Sequence, residues 1–179
     1  MTQSSTDRRR RELLLGEWAC LGVLYEGRTH GFAIASMLRP GGELGRVWSL
    51  SRALTYRSLA QLTERDLVRV VGEEPGIAGG NRTVLAATRA GRGELRRWLG
   101  APVGHLRDLR SELLLKLVIA ERSGIDVTPM LQHQLRIVAA IAASISDGPG
   151  HTDDVVAAWR RETSEAALRF LDHVLDTRT

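Results

Sequence analysis

This chain has one lysine, one cysteine and no long apolar run, and these scarcities constrain it first. Of its 25 basic residues only Lys116 is lysine, and the rest are arginine. The arginine guanidinium is a planar fork of donors that pairs bidentately with phosphate oxygens, so such a surface suits anionic partners. The same bias also fits GC-rich coding behind an Ala-, Arg- and Gly-heavy composition. Cys20 is the sole cysteine, which excludes an intrachain disulfide and a multi-cysteine zinc site. It lies in an apolar helical run and reads as a buried thiol. No segment approaches the roughly 20 consecutive apolar residues that span a bilayer. The polar, basic start is followed by an apolar run that Gly16, Glu17 and Gly22 interrupt, unlike a cleaved export signal. The expectation is a cytoplasmic protein with no membrane partner.

Signatures of catalysis are missing too. There is no G-x-S-x-G, no P-loop and no G-x-G-x-x-G, and the 5 histidines, at positions 30, 105, 133, 151 and 173, have no metal-ligand spacing. The expectation is a protein that is not an enzyme, with no cofactor and no metal. Its 179 residues, 43% of them apolar and 26% charged, can fill one domain or two small ones. A net charge of +4 is compatible with nucleic acid without requiring it.

Apolar periodicity and turn residues order the rest. Arg8 to Tyr25 reads as a helix, with Leu14, Trp18, Leu21 and Tyr25 on one side. Thr29 is placed to cap a second helix, His30 to Leu38, which Pro40-Gly41-Gly42 ends. Ser49 or Ser51 caps a third helix carrying Leu54, Leu59 and Leu62 as its core side. Strands at Leu67–Val71 and Arg82–Ala87 flank the Gly-rich turn E-E-P-G-I-A-G-G. Thr88 opens a fourth helix marked by Leu95, Trp98 and Leu99, and Gly100-Ala101-Pro102 breaks the pattern.

Helix, strand, glycine hairpin and strand, in that order, make a winged helix-turn-helix, in which one helix can enter a major groove. Arg57 and Gln61 lie one turn apart, away from Leu59, Leu62 and Thr55. Arginine can pair with guanine and glutamine with adenine, so these two are the candidate base readers. Arg52, Tyr56, Arg65 and the wing residue Arg82 suit phosphates. On an isolated helix such a face reads as merely solvated; the adjoining wing turns the reading towards duplex DNA. Arg8 to Arg11 form a basic run that reads either as a solvated tail or as an arm for a neighbouring phosphate.

Four segments resemble the PadR-type transcriptional regulators. They are L-G-V-L-Y-E-G-R-T-H-G-F-A-I, W-S-L-S-R-A-L-T-Y-R-S-L-A-Q-L around Tyr56, N-R-T-V-L-A-A-T-R-A-G, and L-R-S-E-L-L-L-K-L. The likeness runs from Leu13 to about Leu117. Phe32 stands where tyrosine is usual, Ser51-Arg52-Ala53 where Ser-Pro-Gly is usual, and Asp66 where glycine precedes the first wing strand. Aspartate tolerates left-handed geometry better than most residues, so that turn can survive. The resemblance implies a homodimer whose post-wing helices approach the two-fold axis, and a central space where some members bind flat aromatic effectors. Trp98, with Leu95 and Leu99 beside it, is the candidate effector face; ordinary packing is the plainer reading of each tryptophan.

Beyond Pro102 the chain reads as wholly helical. Leu106, Leu109, Leu113, Leu117 and Ala120 share one amphipathic helix. Thr128-Pro129 starts the next, and Thr152 caps a last one with Val155, Trp159, Ala166, Phe170 and Val174 on its apolar side. The expected architecture is mainly α with a small β-hairpin wing. It places a winged-helix DNA-binding domain at 8–100 and a helical dimerisation domain at 101–179. The expected function is transcriptional regulation, as a homodimeric repressor released from its operator by a small aromatic or apolar effector. The alternative is a winged-helix protein-interaction module without an operator.

Overall fold

The computed structural model describes residues 12–76, 80–146 and 154–178. The run Arg8–Arg11, the wing tip at 77–79 and the expected cap Thr152 lie outside them. The described chain is mostly helical with one small antiparallel sheet. It is a winged helix-turn-helix followed by a helical C-terminal region.

The first helix, α1 (Leu15–Glu26), begins later than periodicity predicts. The Glu17 carboxylate reaches back and accepts the Leu14 amide hydrogen bond at 2.7 Å, ending the helix there. Leu14 therefore sits outside the helix and is exposed rather than packed. From Gly16 to Leu24 α1 is buried all round, as expected of a central helix. Cys20 lies within it, and burial first, then the nearby Glu17 charge, pushes its thiol from an ordinary 9.0 up to about 12. The neutral thiol is thus favoured by folding. Its contribution to stability is complete below pH 9 and declines as pH climbs from there towards 12. We expect no reaction of the folded protein with a thiol reagent at pH 8 and full reaction in denaturant. Rapid labelling of the native chain would contradict this burial.

Thr29 and His30 form a short strand, β1, rather than a helix cap. They pair with the wing, Thr29 opposite Leu85 and His30 opposite Val84. The cap of α2 (Gly31–Leu38) is the next residue along: His30 Nδ1 accepts the Ala33 amide at 3.1 Å. Ser51 caps α3 (Arg52–Glu64), its hydroxyl accepting the Leu54 amide at 3.3 Å. The buried side of α3 is Thr55, Ser58, Leu59 and Leu62, at i, i+3, i+4 and i+7. Leu54, expected in the core, points outward because it lies about 100° round the helix from Thr55.

Asp66 takes the left-handed turn into the wing, with φ 57°. The Thr88 hydroxyl fixes that turn by donating to the Asp66 carbonyl at 2.8 Å, and it caps the next helix by accepting the Gly91 amide at 3.0 Å. The wing strands β2 (Val68–Pro75) and β3 (Asn81–Ala87) complete a sheet of order β1-β3-β2. Strand β2 runs longer than its apolar stretch because β3 supplies backbone partners as far as Pro75 opposite Asn81. A bulge at Val71 shifts the register between Val70 and Gly72.

Helix α4 (Arg89–Leu99) follows. The chain divides into two compact units. One runs to Trp98 and includes Glu121–Gly124; the other comprises Leu99–Ala120 and the residues from Ile125 onward. The sequence places the boundary after Gly100. Within the first unit the Arg122 guanidinium donates to Glu26 through two bonds of 2.6 and 2.7 Å and also meets Glu43.

In the second unit, Gln134 is buried and clasps Val103 through both backbone groups, at 2.7 and 2.9 Å. The buried Lys116 ammonium donates to the Ala101 carbonyl at 2.6 Å and pairs with Glu112 at 2.8 Å. The expected single helix from Leu106 has three parts: α5 (Leu106–Asp108), a π-helical stretch at Leu109–Leu113, and α6 (Leu114–Ser123). Helix α7 (Thr128–Ser146) is capped by Asp126, whose carboxylate accepts the Thr128 amide at 2.9 Å, so Thr128 is inside the helix rather than its cap. Hydrogen bonds from Thr128 hold the Asp126 carboxyl below its ordinary range. Asp154 caps α8 (Val155–Asp176) through the Val156 and Ala157 amides, at 3.0 and 2.8 Å.

Candidate nucleic-acid interface

The outer face of α3, the β1–α2 junction and the wing strand β3 enclose a cleft of about 540 Å³. Glycine makes the approach possible: a Cβ on Gly31 would stand 2.8 Å from the Tyr56 ring. Arg52, Tyr56 and Arg82, all expected as phosphate contacts, line this cleft together. The exposed Phe32 ring is near both arginines, its centre 5.4 Å from the Arg52 guanidinium and 5.8 Å from that of Arg82. Arg52 is also 5.7 Å from the Tyr56 ring centre. Stacking of this kind orients a guanidinium without neutralising it.

Arg57, Gln61 and Arg65 stand outside the cleft. Arg57 is exposed on the solvent side of α3, Gln61 is half-buried a turn later, and Arg65 is the C-terminal cap of the helix. The spacing thus separates two groups on one helix: Arg52 and Tyr56 beside the wing, and Arg57 and Gln61 on the open side. Among the described residues, Arg52, Arg57 and Arg82 meet no carboxylate at ion-pair distance, whereas Arg97, Arg107, Arg122 and Arg169 do. Cationic charge is therefore left uncompensated at Arg52 and Arg82 beside the wing and at Arg57 on the open side of α3.

His30, Phe32, Thr63 and Asn81 also line the cleft and were not singled out as site residues from the sequence. Only the H-G-F triplet marked the first two, and its helical reading hid them: His30 sits on a strand beside the wing, a placement no local pattern encodes. Asn81 is turned towards the wing itself, its amide donating to the Glu73 carboxylate at 2.8 Å.

The structure buries the three residues expected to face an effector. Leu95 and Leu99 are fully covered, and Trp98 stacks on Trp18 with ring centres 4.8 Å apart and planes within 8°. Beside them Tyr25 accepts a hydrogen bond from Arg96 at 2.9 Å and carries Arg92 over its ring at 4.8 Å. Among the described residues no three His, Cys, Asp or Glu side chains converge as a metal site, and no helix is long and apolar enough to cross a membrane.

No family model matches the chain, and no curated protein matches it. Among solved structures it is similar to Bacillus subtilis PadR, crystallised in complex with operator DNA. The identity is 21% and the TM-score 0.46, over 89% of this chain and 97% of that one. At that level of likeness the functional reading stands on this chain's own side chains.

Proposed function

We propose that the protein is a sequence-specific regulator of transcription that binds duplex DNA through α3 and the wing, as a homodimeric repressor in the cytoplasm. The observation that carries this reading is the pair Arg52 and Arg82, which share the cleft between α3 and the wing and meet no carboxylate at ion-pair distance among the described residues, with Arg57 exposed on the open side of the same helix. Arg57 and Gln61 read base edges, and Arg52, Tyr56, Arg65 and Arg82 hold phosphates. Recovery of genomic fragments on the immobilised protein, followed by sequencing and salt titration of the enriched duplex, tests the reading. A chain that binds no duplex at low salt would refute it.

Within this reading the two arginine groups behave differently. Arg57→Ala is expected to cost about 1–3 kcal/mol and to relax preference at one operator position. Arg82→Ala is expected to weaken all sequences alike and to lower the salt slope by about one. Competition binding against operator variants separates the two. Unchanged selectivity in Arg57→Ala would mean that another face of α3 enters the groove.

The partner surface of the dimer is the exposed side of α8. Leu113 and Leu117, on the first helix of the expected dimerisation domain, are buried within the protomer, and Leu109 is half-buried. Val155, Val156, Trp159 and Phe170 are exposed instead. Release by a small aromatic or apolar effector belongs to the same proposal, but a ligand at Trp98 would have to part the Trp18–Trp98 stack. One observation favours the alternative of a protein-interaction module: Glu73 and Glu74 make the outer wing acidic, which disfavours contact with phosphates there. Salt-sensitive duplex binding decides against that alternative.

A further inference from the structure

His30 holds two contacts that one neutral imidazole cannot satisfy together. Its Nδ1 accepts the Ala33 amide at 3.1 Å, and a ring nitrogen that accepts carries no proton. The ring hydrogen is then on Nε2, which lies 3.3 Å from Arg82 Nη1, itself a donor. Arginine has no acceptor to offer. Two donors thus face each other across the mouth of the cleft. Arg82 is kept there by the Phe32 ring, and the second guanidinium, Arg52, stacks on that ring as well. An oxygen bearing negative charge, within hydrogen-bond reach of both nitrogens, would turn this conflict into two charge-assisted bonds.

We infer that His30 is a phosphate-binding residue of the DNA face: its Nε2–H and the Arg82 guanidinium together hold one non-bridging oxygen of a backbone phosphodiester. The inference rests on the DNA-binding reading above and adds to it a residue whose helix-capping role hides a second one. The cap itself sets the tautomer, so the same histidine both starts α2 and aims a donor outward. Phe32 positions the two guanidiniums and keeps the Arg82 side chain beside the imidazole. Because His30 contributes a neutral donor, it releases no counterion, whereas Arg82 does.

The test uses the full-length chain and a duplex enriched by the wild-type protein. His30→Ser keeps an acceptor for the Ala33 amide, since serine is a good cap, and removes the outward donor. His30→Thr, whose hydroxyl also caps, provides a second variant should the first melt early. The expected result is a loss of affinity of roughly 10- to 100-fold, as for a charge-assisted hydrogen bond. The salt slope should stay as in the wild type. Arg82→Ala should lower that slope by about one. The double variant should lose much less than the sum of the single losses, because both side chains serve one oxygen. Wild-type affinity in both folded His30 variants would overturn the inference, as would additive losses or a slope reduced by His30→Ser. A wild-type chain that binds no duplex would bring down the DNA-binding reading itself and this inference with it.

Discussion

If the chain dimerises through α8 as proposed, Trp159→Asp is expected to leave it monomeric and to lower operator affinity by orders of magnitude. Trp159 is 71% exposed and Val155 82%, on a helix whose other side packs on α7. Large apolar side chains in a row on one helix face are costly to leave in water and mark an interface. Tryptophan is a frequent anchor of interfaces, with losses of at least about 2 kcal/mol on truncation. In a two-fold dimer each substitution acts twice, because both protomers contribute the same patch. A monomer meets only one half-site, whereas a dimer spans grooves about 34 Å apart and gains both. Sedimentation and operator binding measured on the same samples check the idea. If Trp159→Asp remains dimeric at the wild-type concentration range, α8 is not the dimer surface.

Trp98→Ala should be the most damaging substitution for stability. The side chain is 9% exposed and stacked on Trp18. Replacing a buried tryptophan by alanine costs about 3–5 kcal/mol through lost transfer energy and the cavity left behind. That is a large share of the 5–15 kcal/mol or so that a folded domain possesses. Trp159→Ala, at an exposed position, should stay within about 0.5 kcal/mol of the wild type as long as the protein is monomeric. Thermal melts followed by circular dichroism, at a concentration below that of dimer formation, compare the two. A Trp98→Ala melt that coincides with the wild type would show that the stack contributes nothing. It would also favour a loosely held Trp98 that an aromatic ligand could displace.

The uncompensated arginines explain why these effects separate. Arg52, Arg57 and Arg82 contribute little to holding the fold, since they pair with no carboxylate among the described residues. Arg122 does the opposite. Its two bonds to Glu26 and its contact with Glu43 spend the charge on tertiary structure. Substitutions of these three arginines should therefore change binding and leave the melt in place, and those at the Trp18–Trp98 stack should do the reverse.

Local signals were legible in the sequence. The Ser51 cap and the Thr88 start of α4 follow from bonds three residues long, and the wing strands and the Asp66 turn follow from turn residues and alternation near at hand, although Thr88 fixes the Asp66 turn from 22 residues away. The grouping of Arg52 and Tyr56 on one helix was legible for the same reason. What the tertiary structure decided is which side of each element is covered. Leu54 and Leu14 are apolar yet exposed, while Leu113 and Leu117 are spent inside the protomer, because burial depends on the neighbouring element and not on spacing alone. Strand β1 is too short to stand by itself; it exists because β3 offers an edge to Thr29 and His30. That pairing carries His30 across to Arg82, a residue 52 positions away, and no pattern along the chain encodes a contact made only when two distant edges close on each other.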